Sequence, residues 1–374
     1  MTAIPATARP RPFGPRPAET YGFRDILYSK EGGIARITIN RSANYNAYST
    51  GALEELATAF RDAAFDDGVG VIVLTGAGER AFCTGGDVKE YAATYVATPR
   101  DYWKYMSLFR AYIESILNTG KPVIARINGM AVGGGNESQL ACDLSVMAEH
   151  AYLKQVGTHV GSVACGGATQ WLPLVVGDKR ARQILYLNEP IPAAKALAWG
   201  LVNWVVPSVR RGETWIEDAS PEQIGSAQRG VDGYRLDLSR LDAYVDDVAR
   251  RLLASFAECT RYTKQQTNFL KDFVWHSTVR HAQDWLALHY ASWEPVEGMQ
   301  AFVEKCAPRY ALMRSGPRGA SPPSPPGARP FARANVAAPE TSPPTITGAE
   351  HAAHRSRNGR GARNRLGHRA TARR

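Results

Sequence analysis

The stretch PVIARINGMAVGGGNESQLACD, residues 122–143, decides the fold. Its first six residues form an apolar, β-branched run that reads as a buried strand, and the glycines after it turn the chain tightly before a helical pattern begins. A second cluster of the same kind, FCTGGD at 82–87, follows the buried run VGVIVLT at 69–75. GIARITIN at 33–40 alternates apolar and polar residues like a half-buried strand. The segments between are amphipathic at helical spacing. Residues 51–66 place Leu53, Leu56, Phe60 and Ala64 on one face, and residues 101–118 repeat the pattern with Tyr105, Leu108, Tyr112 and Leu117. Strands separated by helices predict an α/β layered core over about 21–257. Residues 258–310 carry many aromatics and no strand-like run, which predicts an all-helical C-terminal subdomain. The polar, glycine-bearing stretch 210–237 reads as an inserted loop.

Glycine after a strand lets a ligand approach backbone N–H groups, and a helix starting there adds its positive dipole end. Two such turns facing one another would aim two donors at one oxygen, the arrangement of an oxyanion hole. Alone, either cluster also reads as a plain strand-to-helix turn. Neither matches a nucleotide-phosphate loop, since GxxxxGK[ST] is missing and GGGNE lacks the GxGxxG spacing.

The 374 residues are 44% hydrophobic and 21% charged, with net charge +10. No run of eighteen apolar residues exists and the first twenty residues lack an apolar stretch of their own, so the expectation is a cytoplasmic protein without a membrane span. The charge is concentrated: residues 311–374 hold twelve Arg, no Lys, two acidic residues and nine Pro, whereas 1–310 hold 33 basic and 33 acidic residues. Such a tail cannot bury enough apolar surface to order itself, and 1–20 read as a shorter disordered arm. The Arg-rich tail keeps open an RNA- or membrane-surface-binding role. Its lack of Lys, aromatic interleaving and amphipathic period argues for no nucleic acid and no membrane partner. Five scattered cysteines without a CxxC pair read as reduced thiols, and His276, His281 and His289 do not share one helix face, so no metal site is expected.

Several segments in order carry a resemblance. They are Asn40-Arg41 to Asn46-Ala47-Tyr48, AFCTGGDVKEY at 81–91, the 127–143 stretch, GGATQWLPLVVG at 166–177, ALAWGLVNWVVP at 196–207 and EGMQAFVEKCAP at 297–308. Together they resemble the crotonase, or enoyl-CoA hydratase/isomerase, superfamily. The resemblance implies a crotonase-like ββα spiral core, an acyl-CoA substrate whose coenzyme A is no separate cofactor, and a homotrimer or homohexamer. By position, it implies that the amides of Thr84 and Gly134 bind the thioester oxygen and that Lys89 and Lys305 lie near the adenosine phosphate of CoA. For the lysines, solvated surface charge is the equally weighted alternative.

Glu137 falls where the family places one of two acid/base glutamates, and at the start of a helix it is also favoured by the dipole. The second glutamate is replaced by Gly157, which on this reading opens room beside the acyl group. Gly157 with Gly86-Asp87 resembles the subgroup acting on cyclic β-keto acyl-CoA substrates, which includes ring-cleaving hydrolases and 1,4-dihydroxy-2-naphthoyl-CoA synthase. That resemblance implies hydration and hydrolytic opening of 6-oxocyclohex-1-ene-1-carbonyl-CoA in aromatic (benzoyl-CoA) degradation. An ordinary enoyl-CoA hydratase or isomerase is the alternative. Asp87 is a further candidate acid/base, balanced against capping the helix at Val88. His159 and Tyr48 are candidate proton donors or water holders, though a lone His or Tyr is more often structural.

Overall fold

The computed structural model describes residues 16–310. Six strands, Ile26–Glu31, Ile34–Ile39, Val71–Gly76, Val123–Ile127, Leu144–Ala148 and Trp204–Val206, lie side by side in that order in the main sheet. The first two form an antiparallel hairpin and every later pairing is parallel. Parallel neighbours need long crossovers. Here three successive crossovers each contain one more short strand and a helix: Ala81–Cys83 with Pro99–Asn118, Met130–Val132 with Gly134–Ala141, and Tyr152–Lys154 with Ala168–Val176. The short strands pair with one another and with Ile191–Pro192 in a second, four-stranded sheet. The chain therefore winds strand, strand, helix three times, a ββα spiral of the crotonase type.

Burial explains why these segments take these forms. Every residue of Val71–Gly76 is buried, because this central strand is covered on both faces. Helix Thr50–Phe65 is capped by Ser49 Oγ, which accepts from the Ala52 amide at 3.2 Å, and it buries Leu53, Leu56 and Phe60. Ala63, not Ala64, completes that face. Removing each large side chain of this kind from water contributes about 1.5–3 kcal/mol. Asn128 stitches the first crossover: its side-chain oxygen accepts from Thr75 Oγ1 and the Gly76 amide, and its Nδ2 donates to the carbonyls of Gly78 and Ala81.

Two sequence expectations change. The stretch 210–237 is not a loop. It folds as strands Val209–Arg211, Thr214–Ile216 and Tyr234–Leu236 in a small antiparallel sheet with helix Pro221–Arg229. Ser220 closes that helix with a reciprocal capping box through Gln223, a polar signal easily mistaken for loop composition. The N-terminal arm ends earlier than residue 20, because Ala18–Tyr21 form a 3-10 turn and the Tyr21 hydroxyl donates to Asp62 at 2.5 Å. Residues 1–15 and the tail 311–374 lie outside the described residues. The aromatics of the C-terminal region divide between core and surface. Trp275 and Leu286 are buried, Trp275 against Trp171 at 5.2 Å, whereas Phe269, Phe273 and Trp285 are exposed.

The C-terminal region consists of the long helix Ala257–His289 and helix Trp293–Glu304. The long helix is anchored to the core by the buried Lys264 ammonium, which donates to the carbonyls of Ile116 and Lys121, both at 3.0 Å, and to Asp143 at 2.9 Å. Lys264→Met should lower the free energy of unfolding by about 3 kcal/mol, read from the denaturant midpoint, because it strands a half-buried carboxylate and two carbonyls. Among the described residues no helix is long and apolar enough to cross a membrane.

Candidate active site

The short strands Ala81–Cys83 and Met130–Val132 run parallel with Cys83 opposite Ala131, so their two glycine turns leave the sheet side by side. Gly85 has φ +85° and Gly133 φ +54°, values that favour glycine. The turns interlock: a Cβ on Gly85 would lie 2.8 Å from the Gly134 nitrogen, and one on Gly135 would lie 2.0 Å from the Cys83 carbonyl oxygen. Gly134 is the first residue of its helix, where an amide has no acceptor within the helix. The Thr84 hydroxyl donates to the Tyr45 carbonyl at 3.2 Å, which ties this turn to the segment before Tyr48.

Both turns face a cavity of about 90 Å³ whose walls include Tyr48, Glu137, Gln155, Gly157, Ser162 and Tyr290. Glu137 is 3% exposed, and its Oε1 accepts from the amides of Gly166 at 2.7 Å and Ala168 at 3.0 Å. Burial pushes its carboxyl up to about 7 against the opposing pull of those two amides. Near neutral pH such a group both accepts and returns a proton. Gly166 has no room for a side chain, since a Cβ would lie 2.4 Å from the Phe109 ring and 2.8 Å from Glu137 Oε2. Tyr48 is fixed through its backbone, donating to the Gly85 carbonyl at 2.9 Å and accepting from the Asp87 amide at 3.1 Å. Its ring stacks on Phe109 at 5.4 Å, and its hydroxyl lies where a Cβ on Gly134 would be, 1.7 Å away. Burial raises the Tyr48 phenol well above its ordinary value, so it stays a neutral donor.

The cavity thus gathers Glu137, Tyr48 and the two turns bearing Thr84 and Gly134, but not the other candidates. Asp87 is turned away from it: Oδ2 pairs with Arg41 at 3.2 Å, and Oδ1 accepts from the Lys89 amide at 3.1 Å. Asp87 thus caps the turn at Val88, pairs with Arg41 and is not among the residues of the cavity wall. His159 is exposed on the 3-10 turn Gly157–His159, where its amide donates to the Val156 carbonyl at 2.9 Å and its carbonyl accepts from the Tyr310 hydroxyl at 3.1 Å. Its neighbour Val160 lines the cavity instead. Lys89 and Lys305 are exposed and outside the cavity wall. Gly157 does line it but does not open free space there. A Cβ at this position would lie 3.0 Å from the Ser162 carbonyl oxygen and 3.2 Å from Val163 Cα. The following segment has folded into the volume a side chain would need.

Sequence reading missed the hydroxyl groups that complete the wall. Ser162 Oγ and the Tyr290 hydroxyl are 3.3 Å apart, and the Tyr91 hydroxyl donates to that of Tyr105 at 2.9 Å. Tyr102 stacks on Tyr290 at 3.5 Å. The one available signal was tyrosine recurring at 91, 95, 102 and 105, which suits a core as well as a site. Tyr290 arrives from the end of the long helix, 128 residues from Ser162. Among the described residues no group of three or more His, Cys, Asp or Glu is placed to hold a metal ion.

A ββα spiral with two interlocked glycine turns above a buried glutamate defines an enzyme of the crotonase class. A model of the family described as enoyl-CoA hydratase/isomerase matches residues 29–225. A protein of Geobacter metallireducens named 6-oxocyclohex-1-ene-1-carbonyl-CoA hydrolase is 36% identical over 290 residues, covering 72% of this chain and 76% of that protein. A protein of Thauera aromatica with the same name is 33% identical over 288 residues, with the same coverage of 72% and 76%. Among solved structures, an enoyl-CoA hydratase from Mycobacterium avium subsp. paratuberculosis superposes with TM-score 0.62 at 26% identity, covering 76% of this chain and 98% of the other. One from Bacillus anthracis gives TM-score 0.56 at 28% identity with the same two coverages, 76% and 98%. The chain belongs to the enoyl-CoA hydratase/isomerase family and is an enzyme of that family.

Proposed function

We propose that this enzyme hydrates and then hydrolytically opens the ring of 6-oxocyclohex-1-ene-1-carbonyl-CoA or a close cyclic relative. The observation that carries the reading is the single carboxylate of the site. Among the described residues lining the cavity, Glu137 is the one acid, and it is tuned to about neutral pH. The names of the two curated relatives support the substrate class. Coenzyme A belongs to the substrate, so the reaction calls for no further cofactor.

The thioester oxygen sits against the amides of Thr84 and Gly134, whose donors strengthen as it gains enolate charge. Water first adds across the ring alkene. A second water then attacks the ring ketone, and the bond between that carbon and the thioester α-carbon breaks. Its electrons pass into the thioester as an enolate, which takes a proton at the α-carbon, leaving a carboxylic acid at the former ketone. Glu137 carries protons in both stages. Incubation with the cyclic enone thioester and mass analysis tests this. Gain of two waters is expected. Gain of one, or a shifted double bond, would instead make it a hydratase or isomerase, the reading favoured by the names of the solved structures.

Helix Trp293–Glu304, which Lys305 follows, packs on the short turn Val88–Glu90 that carries Lys89. We place the CoA phosphates there. Lys89→Met and Lys305→Met should each raise KM for the thioester by about two- to fivefold and leave kcat unchanged, as for exposed ion pairs of about 0.2–1 kcal/mol. The exposed Phe269, Phe273 and Trp285 belong to an assembly of copies on the same reading, a trimer or hexamer. Sedimentation as a monomer would exclude it.

A further inference from the structure

We propose that the carboxamide of Gln155 holds the attacking water, so that hydration proceeds with one carboxylate. The inference rests on the reading of Glu137 as the acid/base. Gln155 is 2% exposed, it lines the same cavity as Glu137, and its Nε2 has no hydrogen-bond partner. A buried donor without an acceptor weakens the fold, so a folded chain that keeps one at a cavity wall has an acceptor in its working state.

The position is rigid. Gln155 directly follows strand Tyr152–Lys154, whose Lys154 carbonyl accepts from the Gly133 amide at 2.9 Å. Leu153 and Gln155 are two residues apart and both buried, so the core-facing side of the strand ends in a carboxamide. The donor therefore issues beside the turn that presents the Gly134 amide. Two residues on, the backbone of Ser162 and Val163 crowds Gly157, so no acid fits at that place without moving this segment. Glu137 Oε1 is occupied by the amides of Gly166 and Ala168, and the carboxylate lines the same cavity as Gln155.

The step balances with these groups. Nε2 of Gln155 donates to the water oxygen and exchanges no proton. The water oxygen bonds to the β-carbon while the alkene electrons move through the α-carbon to the thioester oxygen. Glu137 takes the proton lost by the water and returns it to the α-carbon as the enolate collapses. The net change is addition of H and OH.

The test compares Gln155→Leu with the unaltered protein in three measurements. These are kcat for hydration, exchange of the α-proton of a saturated cyclic acyl-CoA with deuterated water, and Tm. Exchange needs Glu137 and the two amides but no placed water. Hydration should fall about a hundredfold, as for loss of one well-placed contact to a reactant, while exchange stays within about twofold and Tm is unchanged or higher. Equal loss of hydration and exchange would reduce Gln155 to a structural role and overturn the proposal, as would unchanged hydration. Gln155→Met serves in the same comparison if the Leu variant does not fold. Hydration is measured on whichever enoyl-CoA the unaltered protein turns over fastest, so failure of the ring-opening reading shows separately as absence of ring-opened product. If no enoyl-CoA is hydrated at all, the proposal falls.

Discussion

Glu137→Gln is expected to lower kcat roughly a thousandfold, the middle of the range for a positioned acid/base, and to make the folded protein more stable at neutral and alkaline pH. Glutamine keeps an oxygen for the Gly166 and Ala168 amides, so the loop they belong to stays in place. What disappears is the proton-carrying group. Because burial lifts the carboxyl to about 7, the unaltered enzyme should show a rise in kcat/KM with pH that is half complete at about pH 7 and levels off about one unit higher, as the base form appears. The glutamine variant should lack that limb. Turnover and pH profile unchanged from the unaltered enzyme would remove Glu137 from the mechanism.

The stability effect has a definite sign. The folded carboxyl titrates at about 7 and the unfolded one near 4.5. Below 4.5 both states are protonated, and burying the neutral acid costs no ionisation. As pH rises through this window the unfolded chain loses its proton first, so the folded state is disfavoured, and above about 7 the loss is complete. Its size is about 3 kcal/mol. The variant escapes this loss. The difference in unfolding free energy between the two proteins should therefore grow from pH 4 to pH 8, measured by denaturant titration at each pH. A constant difference would mean that the site does not raise the carboxyl.

Gly134→Ala is expected to cost about 100- to 1000-fold in kcat, comparable with loss of an oxyanion donor, while leaving helix Gly134–Ala141 intact by circular dichroism. The φ of Gly134 is an ordinary one, so alanine is conformationally allowed there. The damage comes from the Cβ, which would lie 1.7 Å from the Tyr48 hydroxyl and 2.9 Å from its Cζ. Either the ring or the turn must move, and both carry the site. Adding Tyr48→Phe removes the closer contact, so the double variant should recover part of the activity lost by Gly134→Ala. Strict additivity in that double-mutant cycle would show that the ring and the turn are not coupled.

The ββα spiral was legible because its strands are continuous apolar runs and its turns are glycine clusters. The runs at 69–75 and 122–127 became Val71–Gly76 and Val123–Ile127 within two residues at each end. Strand Ile26–Glu31, at the edge of the sheet, went unread because its burial alternates but its residue types do not: Leu27 faces solvent and Lys30 turns inward to pair with Asp62 and Asp66. The 210–237 segment was misread because short edge strands and a capped helix share their composition with loops. Within the site, Glu137 and the glycines of the two turns were legible from local spacing. Asp87 and His159 were not, because a residue's neighbours in the chain say nothing about the side to which its side chain turns. Arg41 decides the first, and the bend at Gly157–His159 decides the second.

By itself the sequence determined the layered fold, the two turns and the acid beside them, since each depends on residues within a few positions of one another. Only the tertiary structure decided what surrounds that acid. Tyr290, Ser162 and Gln155 come from distant segments, the space next to Gly157 is taken by backbone, and burial alone carries Glu137 to about 7. Burial and long-range contact are properties of the packed chain, and no local pattern encodes them.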